Sequence, residues 1–267
     1  MELLEYPFFR NALIGLIIIN IAAAMIGTYI ISRRLVAISG GITHACFGGL
    51  GLGYFLGLNP IVMAAVFSIA SSLGVETLSS RYRLREDSAI AVIWAVGMAV
   101  GVIFVFLTPG YVPELNSFLF GNILTVSSND LIIFTIYTVV LALFFALFFN
   151  KIVAVAFDRD FARVSGLPVT FINTLMTVLV ALCIVLTIKL VGIMLLMSML
   201  SLPQLIAEMF THRFKSLIFL SGAIGIAGSI IGLFLSAYIN VPCSALIVAV
   251  YAIIFVIGKI ISECLNR

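Results

Sequence analysis

Apolar runs of membrane-spanning length follow one another along almost the whole chain, and no water-soluble fold accommodates such a series. They fall at about 11–32, 36–56, 60–79, 88–107, 131–150, 170–190, 191–210, 216–238 and 243–261, each bounded by charges or turn residues. A crossing helix needs about 20 mostly apolar residues, so each run is a candidate span. The composition agrees: 63% of residues are hydrophobic and only 9% are charged, whereas a soluble domain carries about 25% charged residues to cover its surface. The expectation is an all-α, polytopic transmembrane bundle of about 8–10 membrane helices, folded as one domain over residues 1–267 with no soluble appendage. The lipid bilayer is then its first partner.

The first run is read as a retained helix. A cleaved secretory signal begins with basic residues and has a shorter apolar stretch, whereas here Glu2 and Glu5 precede a full-length run that ends at Arg33-Arg34. The cysteines (Cys46, Cys183, Cys243, Cys264) lack CxxC spacing, and within apolar helices a cysteine acts as a small hydrophobe. A net charge of +3, dispersed along the chain, excludes an electrostatic footprint for nucleic acid.

Sidedness follows from the basic residues. If the first helix starts outside, alternate connections gather Arg33, Arg34, Arg81, Arg83, Arg85, Lys151, Arg159, Arg163, Arg213, Lys215, Lys259 and Arg267, leaving only Arg10 and Lys189 on the other face. Cytoplasmic loops collect Lys and Arg. The predicted topology is nine crossings, with a cytoplasmic C-terminus, in a cell (inner or plasma) membrane. The run at 191–210 is interrupted by Pro203. The piece from Phe118 to Val126 is too short to span and is expected to lie at the interface or to dip into the membrane.

The longest inner connection covers about 152–168. Within it, Asp158 can cap a short helix, Gly166 can close it and Pro168 can start the next element. A short charged helix on the cytoplasmic surface is the expectation, with a partner-docking segment and a solvated loop as its two readings.

No nucleotide-binding loop is present: Gly258-Lys259 is followed by Ile260 inside an apolar run, where it cannot cradle phosphate. Any ATP-driven step therefore needs another chain, and the protein is not read as an enzyme. The second run places His44 midway along its span; His212 lies in a basic inner loop. An ionisable group inside a bilayer usually faces a bundle interior or a watery path, and imidazole ligates zinc and similar divalent ions. Ser39, Thr43 and His44 form the candidate path, with His44 as the candidate metal ligand; helix packing around small residues is the competing reading. The glycine series 48/49/51/53 and 222/225/228/232 are read as packing seams. Met194, Met197 and Met199 are read as filler, and Glu76 and Glu208 as carboxylates at inner helix ends.

Five ordered stretches resemble the permease subunits of zinc/manganese-type metal ATP-binding-cassette importers. They are Arg33-Arg34 with Gly41 to Gly49 around His44; Asp87-Ser88-Ala89-Ile90-Ala91-Val92 with the small-residue helix to Gly101; Leu115 to Leu124; Asp158 to Gly166; and Val191-Gly192 through Leu202-Pro203 to Ala207. The resemblance implies a homodimeric permease for a divalent metal ion (zinc, manganese or iron), carried as substrate with no permanently bound cofactor. It also implies two copies of a cytoplasmic ATP-binding subunit and an extracytoplasmic metal-binding protein. Asp158, Asp160, Phe161, Ala162 and Gly166 correspond to the segment that contacts the ATPase. The family commonly carries an Asp four residues before this His; here that position is Gly40, which offers neither charge nor oxygen. A secondary transporter or channel for a cation, without ATPase coupling, is the alternative.

Overall fold

A computed structural model describes residues 5–82, 84–110, 121, 123 and 126–265. Among the described residues ten helices follow in order: α1 (Pro7–Ser32), α2 (Val36–Leu56), α3 (Pro60–Tyr82), α4 (Glu86–Leu107), α5 (Ser128–Phe157), α6 (Arg159–Val164), α7 (Val169–Met199), α8 (Leu202–Glu208), α9 (Phe214–Ile239) and α10 (Cys243–Leu265). In lipid every backbone amide must find its partner within the protein, which apolar segments achieve as helices. Of the short interfacial piece read at 118–126 and the third resemblance stretch, only Gly121, Ile123 and Val126 are described.

Among the described residues, eight segments are long and apolar enough to cross a bilayer, one of them the 40-residue stretch Val169–Glu208. That stretch is not one crossing. Leu190 lies against Gly15 of α1 and near Leu131 of α5, whereas Leu200 and Gln204 lie against Gly27, twelve residues farther along α1; Ile206 and Phe210 then reach Gly258 near the end of α10. The chain thus rises along α7 and returns through the last part of α7 and α8. The reversal sits at Gly192, whose φ of 78° and ψ of 176° break the helix, a backbone that glycine adopts without steric cost. Among the described residues the bundle is therefore traversed nine times, as the separate runs at 170–190 and 191–210 predict. The break falls at Gly192, and the interruption on the return is at Leu200–Ser201, just ahead of Pro203 in the first turn of α8.

α1, α2 and α7 form the interior, while α3, α4, α5 and α10 leave most of their surfaces exposed. The glycine seams bring helices into backbone contact. A Cβ at Gly101 would stand 2.5 Å from the Phe47 carbonyl oxygen, and one at Gly97 2.5 Å from Ala45 Cα. This locks α2 and α4 together more closely than any other pair. On the opposite side, Asn20 of α1 donates to Ser229 Oγ of α9 at 2.9 Å, and Tyr251 of α10 donates to the Gly225 carbonyl at 2.8 Å. Such buried polar contacts hold membrane helices where the hydrophobic effect cannot.

Candidate functional site: a half-buried histidine and a charged inner network

His44 lies on α2 and is half-buried. Its ring is stacked on Trp94 of α4, with centroids 4.6 Å apart and planes 3° from parallel. Phe47, one turn on, lies 6.4 Å from the same ring. His44 Nδ1 is buried without a hydrogen-bond partner, while Trp94 is 41% exposed. The pair therefore opens on the surface of the single chain. Aromatic stacking fixes the plane of the imidazole and so aims its nitrogens.

The other two candidate path residues are placed differently. Ser39 Oγ donates to the Val36 carbonyl at 2.7 Å, and Thr43 Oγ1 donates to the Ser39 carbonyl. Both residues are buried, and both hydroxyls are spent on the helix's own backbone. Of the three, only His44 reaches the open face. A Cβ on Gly40 would stand 2.7 Å from Met197 Cε, so a methionine methyl occupies the space beside that position. Among the described residues no group of three His, Cys, Asp or Glu could hold a metal ion; a site at His44 would need ligands from beyond one chain. Trp94, the one tryptophan, was not legible as a partner of His44 because it lies 50 residues away on another helix; its solitary place in the middle of an apolar run was the available signal.

The connection between α5 and α7 folds as its residues dictate. Asp158 caps α6, its carboxylate accepting from the Phe161 amide at 2.9 Å. Gly166, at φ 74°, ends it, and α7 starts after Pro168. Ala162 is fully buried and anchors α6 against the bundle, whereas Phe161 and Val164 are 65% and 89% exposed. Asp158, Asp160 and Gly166 are exposed beside them. The outward face is thus an apolar pair within a charged rim, and Ala162 lies beneath it.

Behind α6 is a charged network that the sequence did not announce. Arg159, the first residue of α6, reaches Glu86 of α4 at 3.3 Å and donates to Asn173 Oδ1 of α7 at 2.5 Å. Arg33, at the end of α1, donates to the same oxygen at 2.7 Å and lies 3.5 Å from Glu86. Asn173 donates in turn to Glu76 of α3. Glu76, half-buried, is thus tied to α7 at the helix end where the sequence places it. These groups line a cavity of about 180 Å³. Burial, and then the neighbouring Arg33, draw the Arg159 guanidinium below its usual pKa; an arginine remains cationic at neutral pH. At the other end of the bundle Lys189 pairs with Asp130, which accounts for a lysine on the face otherwise poor in basic residues.

The fold is that of a multi-pass helical membrane protein. Its sequence from residue 5 to 262 matches the ABC 3 transport family, and the chain belongs to that family. It is 32% identical over 256 residues to the manganese transport system membrane protein MntC of Listeria monocytogenes, covering 96% of this chain and 91% of that protein. It is 30% identical over 258 residues to the manganese import system permease protein ScaB of Streptococcus gordonii, covering 97% and 92%. The solved structure of PsaBC from Streptococcus pneumoniae in complex with Fab superposes with a TM-score of 0.84 at 31% identity, over 96% of this chain and 92% of that one. An inward-facing putative metal-chelate type ABC transporter shares the fold, with a TM-score of 0.75 at 14% identity.

Proposed function

We propose that this chain is the permease of an ATP-driven importer for a divalent metal ion, with manganese the first candidate. The supporting observation is the similarity, over nearly the full length of both chains, to permeases named for manganese transport. Two copies of the chain pair across the open face of α2 and α4, bringing two His44 side chains to a shared path. Each copy docks one cytoplasmic ATPase on the exposed Phe161 and Val164 of α6, with Asp158, Asp160 and Gly166 at the rim. A metal-binding protein delivers the ion at the face that carries Lys189. In this reading the C-terminus is cytoplasmic and the protein resides in the inner or plasma membrane.

His44 offers one imidazole per chain, so two copies offer two nitrogen ligands. Met197 thioethers, beside Gly40, are the nearest soft atoms to the position where the family carries an Asp. A path with few fixed ligands releases its ion readily, which suits transport better than retention. The test is elemental analysis of cells with and without this chain, grown at limiting manganese, zinc or iron. The expected result is a loss of accumulated manganese in cells lacking it. Equal contents of all three metals would overturn the reading. Purified chain that moves metal without any ATPase would replace it with a secondary transporter.

A further inference from the structure

The short helix α6 packs extensively only on its sequence neighbours α5 and α7. Among the described residues, the side-chain hydrogen bonds and ion pairs that tie it to membrane helices come from Arg159. That guanidinium contacts Glu86, in the first turn of α4, at 3.3 Å and Asn173 of α7 at 2.5 Å. Glu86 is also held by Arg33 of α1 at 3.5 Å. From Glu86 the connection continues without slack: α4 is seamed to α2 backbone-on-backbone, with Gly101 against the Phe47 carbonyl and Gly97 against Ala45. The same two helices carry Trp94 and His44 in face-to-face contact.

We infer that Arg159 and Glu86 are positioning residues that convert displacement of α6 into movement of the α4–α2 pair, and so gate the path at His44. This rests on the reading of α6 as the ATPase-docking helix. Three physical features favour a linkage over a static brace. The guanidinium is a rigid planar fork that can hold Glu86 and Asn173 at once. Its Nε is buried with no partner, so the present arrangement leaves a donor free for a second set of contacts. The cavity of about 180 Å³ beside it gives the side chain room to change partners while the packed seams on either side stay rigid. A few discrete contacts between rigid bodies is the arrangement by which small shifts become helix movements.

The test uses the full complex of permease and ATPase in lipid vesicles, with ATP inside the compartment that the ATPase faces. Manganese(II) uptake and phosphate release are measured together. R159Q, E86Q and the double variant are expected to assemble with the ATPase and hydrolyse ATP. Manganese moved per ATP should fall about 5- to 10-fold in each, and the double variant should be no worse than the worse single one, because residues acting as a unit are non-additive. R159K should recover only part of the ratio, since an ammonium cannot bridge both partners, and it guards against misfolding of the glutamine variants. An unchanged ratio in R159Q, or a double variant equal to the product of the two singles, would overturn the linkage. F161D separates the two readings. If it releases the ATPase while R159Q leaves the ratio intact, docking stands and the linkage falls; if F161D retains the ATPase as the native chain does, docking fails and the linkage with it.

Discussion

His44 and Trp94 lie face to face, 4.6 Å between ring centroids and 3° between planes, although 50 residues separate them in sequence. Neither helix alone would hold the imidazole in one orientation; the indole supplies the second surface. Aromatic pairs of this kind contribute about 0.5–1.5 kcal/mol. That is small for folding but large enough to decide which way a ligand nitrogen points.

The first prediction concerns that pair. H44A should abolish manganese uptake while the protein still elutes as a single species. W94A should lower uptake about 2- to 10-fold, in line with the stacking energy, and W94F should restore most of it. Because Trp94 is the only tryptophan of this chain, the tryptophan fluorescence of the purified chain should change when manganese(II) is added, and the change should vanish in H44A. A response that persists in H44A would separate Trp94 from any ion at His44.

A second prediction follows from the α2–α4 seam. G101A places a methyl group 2.5 Å from the Phe47 carbonyl oxygen, and backbone cannot yield as a side chain can. It should destabilise the fold by about 1–3 kcal/mol or more, seen as lower yield and a lower melting temperature in detergent. G40A meets only the flexible end of Met197. It should fold nearly normally, the more so when combined with M197A. Equal damage from G101A and G40A would remove the distinction between a backbone-on-backbone seam and a contact that a side chain can relieve.

The fold-back at Gly192 gives a third. Reporters at Ser80, Ser165 and His212 should all read the cytoplasmic side, because the segment 193–208 recrosses the bundle. A reporter at His212 on the opposite side from Ser165 would reduce the traverses to eight. G192A forces a φ of 78° with a ψ of 176°, a region all but reserved for glycine, on a side-chain-bearing residue, at a cost of about 1–3 kcal/mol, and should lower stability without moving the reporters.

Fourth, the pair Lys189–Asp130 links α7 to α5 at the end of the bundle opposite α6. Removing one partner leaves a partly buried charge alone, so K189M and D130N should each destabilise more than K189M/D130N together. Thermal unfolding of the three variants checks this. Singles that match the native chain, with an equally stable double, would show the pair to be fully screened.

What the order of residues determined alone was the class of architecture and the gathering of basic residues toward one face. Long apolar runs have no alternative to helices in lipid, and basic residues sort to one face, so nine traverses could be read before any contact was known. The local stops were equally legible: Asp158 and Gly166 bound α6 through their own capping and left-handed geometry. His44 stood out because an ionisable group within an apolar run is costly to place without a use. Tertiary structure alone decided which groups meet. Ser39 and Thr43 turned their hydroxyls to their own helix, Ala162 went under α6 and not onto its exposed face, and Glu76 joined Asn173. Trp94 found His44, and Arg159 found Glu86, because glycine seams and helix ends bring distant segments within a few ångströms. Periodicity fixes the face a residue occupies, but which neighbour shares that face depends on how the whole bundle packs.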